Sequence, residues 1–196
     1  MAKEDQKKSG FKKTSDSGSN VSIKVVNIVV SSSLKHDIPL EKMAAMLPNT
    51  EYNPEQFPGL VLRIKEPKTT ALIFSSGKIV CTGARSMEKV EESIQKIIES
   101  LEKIGIKITI KPEIKIQNIV ASGSVGMDLN LNTLAMKLEN TEYEPEQFPG
   151  LVYKLAEAKA TFLLFSNGKV VCTGTKSEHE VHQALNRLIE NLKKIK

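Results

Sequence analysis

Tryptophan is absent from this chain of 196 residues, aromatics make up 5% of it, and it holds two cysteines. Two cysteines without a paired spacing exclude a disulfide framework and a four-cysteine zinc site, and they fit a reducing compartment. With aromatics so scarce, each phenylalanine needs a reason for where it sits. No apolar run approaches the roughly 18 residues of a membrane span. The Lys-rich N-terminus holds no apolar stretch that could serve as a secretory signal. A carboxylate cluster, a nucleophile beside a base and a Gly-rich phosphate loop are also missing, so the chain is not expected to be an enzyme. His179 and His182 stand three apart without a third ligand and read as surface histidines. No metal and no cofactor is expected.

What is present is a repeat. "TEYNPEQFPGLV" at 50–61 returns as "TEYEPEQFPGLV" at 141–152, and 24 of the 35 positions from 49 to 83 are identical to those 91 residues later. Two copies are too few for a solenoid and describe two halves of one pseudo-symmetric fold, residues 21–112 and 113–196. Residues 1–20, rich in Ser, Lys, Gly and Asp, read as a disordered, slightly basic tail. The chain is 40% hydrophobic with a formal charge of +5 and a pI near 9.1, which suits a globular protein and is compatible with a polyanionic partner.

Periodicity predicts the elements of each half. Residues 22–31 and 113–122 are β-branched and read as strands, as do 59–67 and the hairpin 69–83 turning at "SSGK". Segments 39–47 and 130–138 have helical spacing, with Pro39 suited to a first turn. Residues 86–105 and 177–195 are amphipathic helices. The first carries Val90, Ile94, Ile97, Ile98 and Leu101 as its stripe, Ser86 as N-cap and Gly105 as its end. Antiparallel strands with two helices per half make an α+β fold with helices on one face. Alternation then puts Leu72, Phe74, Val80 and Thr82 on the uncovered face, with Asn27, Val29, Asn118 and Val120, while Ile73 and Cys81 become core. An uncovered apolar patch of that size implies a partner.

The two "NIV" strands, the two "EYxPEQFPGL" turns, the hairpin "PKTTALIFSSGKIVCTGARS" and the direct repeat resemble the TATA-box-binding protein family in its archaeal form, over about residues 21–196. The resemblance implies a saddle: a curved antiparallel sheet of about ten strands, helices on the convex face, DNA on the concave one. It implies a general transcription initiation factor that reads the TATA-box minor groove, whose A·T and T·A pairs show acceptors alone. Val29, Leu72, Val80, Val120, Leu163 and Val171 would press on base edges and sugars. Asn27 and Asn118, assisted by Thr82 and Thr173, would donate at the central step. Phe57 with Phe74, and Phe148 with Phe165, would wedge into the outer steps and kink the duplex; this family is itself a type example of such wedging. Pro58 and Pro149 would stiffen the turns that present the rings.

Arg63, Lys68, Lys78, Lys154, Lys159 and Lys169 match phosphate-contacting positions, with Lys154 and Lys159 where the family commonly has Arg, and Ala158 where the first half keeps Pro67. The second turn, with Glu144, Glu146 and Gln147, matches the docking surface for transcription factor B and, through it, RNA polymerase. The near-identity of the halves predicts that the saddle alone binds a near-palindromic element in both orientations, with direction supplied by a partner. The resemblance also implies a monomer on DNA, room for a weak homodimer when free, and a place with the archaeal nucleoid in the cytoplasm, or the nucleus in a eukaryote. Three other readings compete: an accessory domain of a nucleic-acid-processing enzyme, a protein-interaction module docking through the uncovered face, and a family paralogue with drifted DNA preference, against which the four Phe and both Asn argue.

Overall fold

The computed structural model describes residues 20–195, so the tail expected over 1–20 lies, apart from Asn20, outside the described residues. The first half runs β1 (Ser22–Ser33), α1 (Leu40–Met46), β2 (Thr50–Glu51), β3 (Gly59–Ile64), β4 (Thr69–Phe74), β5 (Lys78–Ala84) and α2 (Met87–Lys103). The second repeats it: β6 (Ile114–Ser124), α3 (Leu131–Lys137), β7 (Thr141–Glu142), β8 (Leu151–Leu155), β9 (Ala160–Leu164), β10 (Lys169–Thr175) and α4 (Glu178–Ile195). The strands join one open antiparallel sheet in the order β2-β3-β4-β5-β1-β6-β10-β9-β8-β7. That order reads the same from either end, so β1 and β6 meet at the centre. Ile28 pairs with Ile119, its own counterpart in the repeat, and the pseudo-two-fold axis passes between them.

The expected elements are present, with differences at their ends. The strand expected over 59–67 stops at Ile64, because Lys65–Lys68 form the turn into β4. In the second half that turn is a short 3-10 stretch, Ala156–Ala158, closed by Lys159 in the left-handed region. The two-residue edge strands β2 and β7 carry no periodicity and are visible only through their pairing with β3 and β8. The side chain of Ser86 accepts a hydrogen bond from the Lys89 N–H, capping α2 as expected, and Gly105 leaves the helix at φ +85°. Pro39 stands at the cap position of α1, one residue before the helix.

All core side chains lie between the sheet and the helices. Ile28, Val30, Leu60, Ile73, Ile79 and Cys81 from the first half, and their counterparts in the second, pack under α2 and α4. Burial pushes the thiol pKa of Cys81 up and that of Cys172 to about 11, so both are neutral packing groups. Among the described residues no helix is long and apolar enough to cross a membrane.

Candidate nucleic-acid interface

The face of the sheet without helices is built by alternation. In β4 and β5 every second residue is buried under the helices, which leaves Thr70, Leu72 and Phe74, then Val80 and Thr82, half-buried on the open side. Cross-strand register lines these up in rows. Val61 pairs with Leu72, Leu72 with Val80, and Val80 with Ser31. In the second half the row is Val152, Leu163, Val171 and Ser122. A second row runs Arg63, Thr70, Thr82, and its counterpart Lys154, Thr161, Thr173. The structure therefore brings the predicted valines, leucines and threonines onto one surface. It adds Val61, Thr70, Ser31, Val152, Thr161 and Ser122, which the strand alternation in the sequence could have supplied.

At the centre, Asn27 pairs across the axis with Val120, and Val29 with Asn118. Each asparagine is held by the neighbouring strand. The Gly83 N–H donates to Asn27 Oδ1 at 2.7 Å, and Asn27 Nδ2 donates to Thr82 Oγ1 at 3.1 Å. The Gly174 N–H donates to Asn118 Oδ1 at 2.8 Å, and Asn118 Nδ2 donates to Thr173 Oγ1 at 3.0 Å. A backbone N–H can only donate, so these bonds fix which amide atom is oxygen. Each amide keeps one N–H free toward the open face. The glycines make this possible: φ of +103° at Gly83 and +97° at Gly174 turns the peptide N–H toward the asparagine, in a region where side chains are disfavoured.

The four phenylalanines form two pairs at opposite ends of the sheet. Phe57 and Phe74 lie edge to face with centroids 5.9 Å apart, as do Phe148 and Phe165. Phe57 and Phe148 are each 40% exposed. With about 200 Å² to a Phe side chain, this leaves roughly 80 Å² uncovered on each, or about 2 kcal/mol available on burial. Both rings are presented by tight turns: the Phe57 N–H donates to Asn53 O, and the Phe148 N–H to Glu144 O. The glycine after each Phe-Pro has a packing role. A Cβ on Gly59 would stand 2.7 Å from Phe57 Cε1 and 3.1 Å from Phe74 Cε1, and Gly150 faces Phe148 and Phe165 in the same way.

The predicted cations rim this surface and are exposed: Lys68 and Lys159 in the turns, Lys78 and Lys169 where β5 and β10 begin, Arg63 on β3 and Lys154 on β8. Arg63 is engaged within the protein, its Nη2 3.0 Å from Glu51 Oε2 on the edge strand. Both side chains are more than half exposed, so the pair opens at a cost of at most about 1 kcal/mol. Glu144, Glu146 and Gln147 are exposed in the turn between β7 and β8. His179 and His182 are exposed on α4, and the described residues hold no group of three metal-ligating side chains.

The candidate interface is thus an open sheet face with apolar rows, two oriented amides, two aromatic pairs and a cationic rim. A family model described as transcription factor TFIID, or TATA-binding protein, matches residues 22–104 and again 113–195. The chain belongs to the TATA-binding protein family. The TATA-box-binding protein of Thermococcus celer is 50% identical over 176 residues, covering 90% of this chain and 93% of that one. That of Methanocaldococcus jannaschii is 51% identical over 173 residues, covering 88% and 94%. A solved structure described as Methanococcus jannaschii TBP superposes with a TM-score of 0.83 at 52% identity, covering 88% of this chain and 98% of that one. These relatives are archaeal, and the ten-stranded sheet described above is the family's saddle.

One feature of this saddle is invisible to simple alternation. The β1–β6 register shifts between Val25 and Asn27 and again between Val29 and Val30. Val25 and Ile116 pack against the core, as do Ile28 and Ile119, so two residues rather than one lie between each core pair. Val26 and Gln117 therefore join Asn27 and Asn118 on the open face. The contact of Gln117 Nε2 with Ser31 Oγ at 2.7 Å shows the bulged side chain there.

Proposed function

We propose that this chain is a general transcription initiation factor that binds the minor groove of the TATA box, bends the DNA and hands it to transcription factor B. The observation that carries the reading is the fixed orientation of Asn27 and Asn118. Their oxygens are occupied by backbone N–H groups, so each offers a donor to the groove, and A·T pairs offer only acceptors there. Valine and leucine rows around them leave a guanine amino group without an acceptor, which penalises G·C pairs. The half-exposed phenylalanine pairs supply wedges at equivalent distances on either side, and this family is a type example of kinking by such wedges. Six rim cations add a phosphate-binding contribution of about 0.9 in the log–log salt slope for each contact made.

The action is binding and bending without a catalytic step. The exposed acidic turn with Glu144, Glu146 and Gln147 supports docking of transcription factor B, and through it RNA polymerase. The chain works as a monomer on promoter DNA, in the compartment that holds the genome.

The test is energy transfer between dyes on the two ends of a short TATA duplex, beside a duplex with G·C pairs at the central steps. A shortened end-to-end distance on the TATA duplex alone supports the reading. Equal response on both duplexes, or binding without bending, refutes it and moves the protein-interaction reading forward.

A further inference from the structure

The two halves of the open face are nearly identical, and the place where they differ at the centre is the bulge. Gln117 occupies it in β6, while the counterpart in β1 is Val26. The difference is chemical rather than one of shape alone. Gln117 donates through Nε2 to Ser31 Oγ, which leaves its Oε1 as an acceptor beside the central amides. The Val26 side chain offers neither donor nor acceptor, and it stands on the other side of the axis, near Ser122 of β6, whose partner on β10 is Val171. Ser31 belongs to the row of Val80, Leu72 and Val61, so the acceptor lies on the side of the first half.

We propose that Gln117 makes the saddle read polarity by itself: it accepts the N2 amino group of a guanine just off centre on the first-half side, whereas Val26 excludes a guanine at the mirror-related position. The argument rests on the minor-groove reading proposed above. In that groove a G·C pair differs from an A·T pair chiefly by one donor, the guanine N2 amino group. A surface that tolerates this donor must supply an acceptor, and an apolar surface leaves it buried and unpaired. The open face meets this demand with the amide oxygen of Gln117, whereas beside Val26 it has only the Ser122 hydroxyl. This revises the expectation, drawn from the similarity of the halves, that orientation is left wholly to a partner. An A·T palindrome is bound both ways, while an element carrying one off-centre G·C pair is bound with that pair under the first half.

The experiment uses the full chain with Glu55→Cys, a position exposed in the first-half turn, while Cys81 and Cys172 are buried. A tethered iron chelate at that site cuts the nearest DNA by hydroxyl radicals and so reports orientation. Two duplexes are compared: an A·T palindrome, and the same palindrome with one off-centre G·C pair. The expected result is equal cutting at both ends of the first. On the second, cutting favours the G·C-bearing end about five- to tenfold, the worth of one net hydrogen bond. Gln117→Val abolishes the bias, and Val26→Gln equalises the ends while tightening binding of the G·C duplex.

Equal cutting of the second duplex by the chain with native Gln117 overturns the proposal, as does a bias that survives Gln117→Val. A Gln117→Val variant weakened equally on both duplexes also overturns it, because Gln117 is then a backbone contact. If the A·T palindrome is itself neither bound nor bent, the minor-groove reading fails instead.

Discussion

Replacing Asn27 by aspartate tests the interface reading at a single atom. The carboxylate keeps an oxygen for the Gly83 N–H, held at 2.7 Å, and can still accept from the Thr82 hydroxyl. The fold therefore loses little. What disappears is the amide donor: one N–H that meets Thr82 Oγ1 at 3.1 Å and one that faces the groove. On DNA the variant forfeits a hydrogen bond worth about 1 kcal/mol and sets an acceptor against acceptors, leaving groups unpaired at a further cost of about 2 kcal/mol. The sum, about 3 kcal/mol, corresponds to roughly a 100-fold weaker dissociation constant. Fluorescence anisotropy with a labelled TATA duplex measures this, and a thermal melt separates it from unfolding. Asn118→Asp should match Asn27→Asp within about twofold on a palindromic duplex, because the two sites have the same partners. Binding within threefold of the unaltered chain, at an unchanged melting temperature, would refute the claim that oriented amide donors read the groove.

Gly59→Ala or Gly150→Ala pushes a methyl into the neighbouring phenylalanine rings, so DNA bending seen by end-to-end energy transfer should fall while the far-ultraviolet spectrum stays the same. Lys169→Ala removes one exposed rim cation and should flatten the log–log salt slope by about 1, without changing the preference for TATA over G·C duplexes. Thr175 buries a hydroxyl with no partner where the first half has Ala84, so Thr175→Ala should raise stability by about 1 kcal/mol and the melting temperature by about 2–4 °C. Burial raises the Cys172 pKa from 9.0 to about 11, so the folded state favours the neutral thiol. The stability this supplies is complete below about pH 9 and is lost as pH rises toward 11, which chemical denaturation across that range measures. At pH 8 a thiol reagent should label Cys172 only at the rate of opening.

The sequence by itself determined the duplicated architecture, the helices on one face and the identity of most groups on the other. The reason is that each of these is a local pattern. A period of two in "ALIF" and "KIVCT" separates core from open face, a period near 3.6 in 87–103 marks the buried stripe of α2, and the 91-residue offset reports the symmetry. The phenylalanines, asparagines, threonines and rim cations were legible for the same reason, with the resemblance supplying their roles. Tertiary structure decided what depends on partners distant in the chain. The edge strands β2 and β7 exist only through their ladders with β3 and β8, and two residues are too few to show a period. The orientation of the central amides follows from peptide groups at Gly83 and Gly174, about 56 positions away, that no local pattern connects to Asn27 and Asn118. The bulges between β1 and β6 shift the alternation by one, so a reading of period two cannot place Val26 and Gln117 on the open face. Register is a property of paired strands, and it is the register at the seam between the halves that brings Val26 and Gln117, which differ between the repeats, onto the open face.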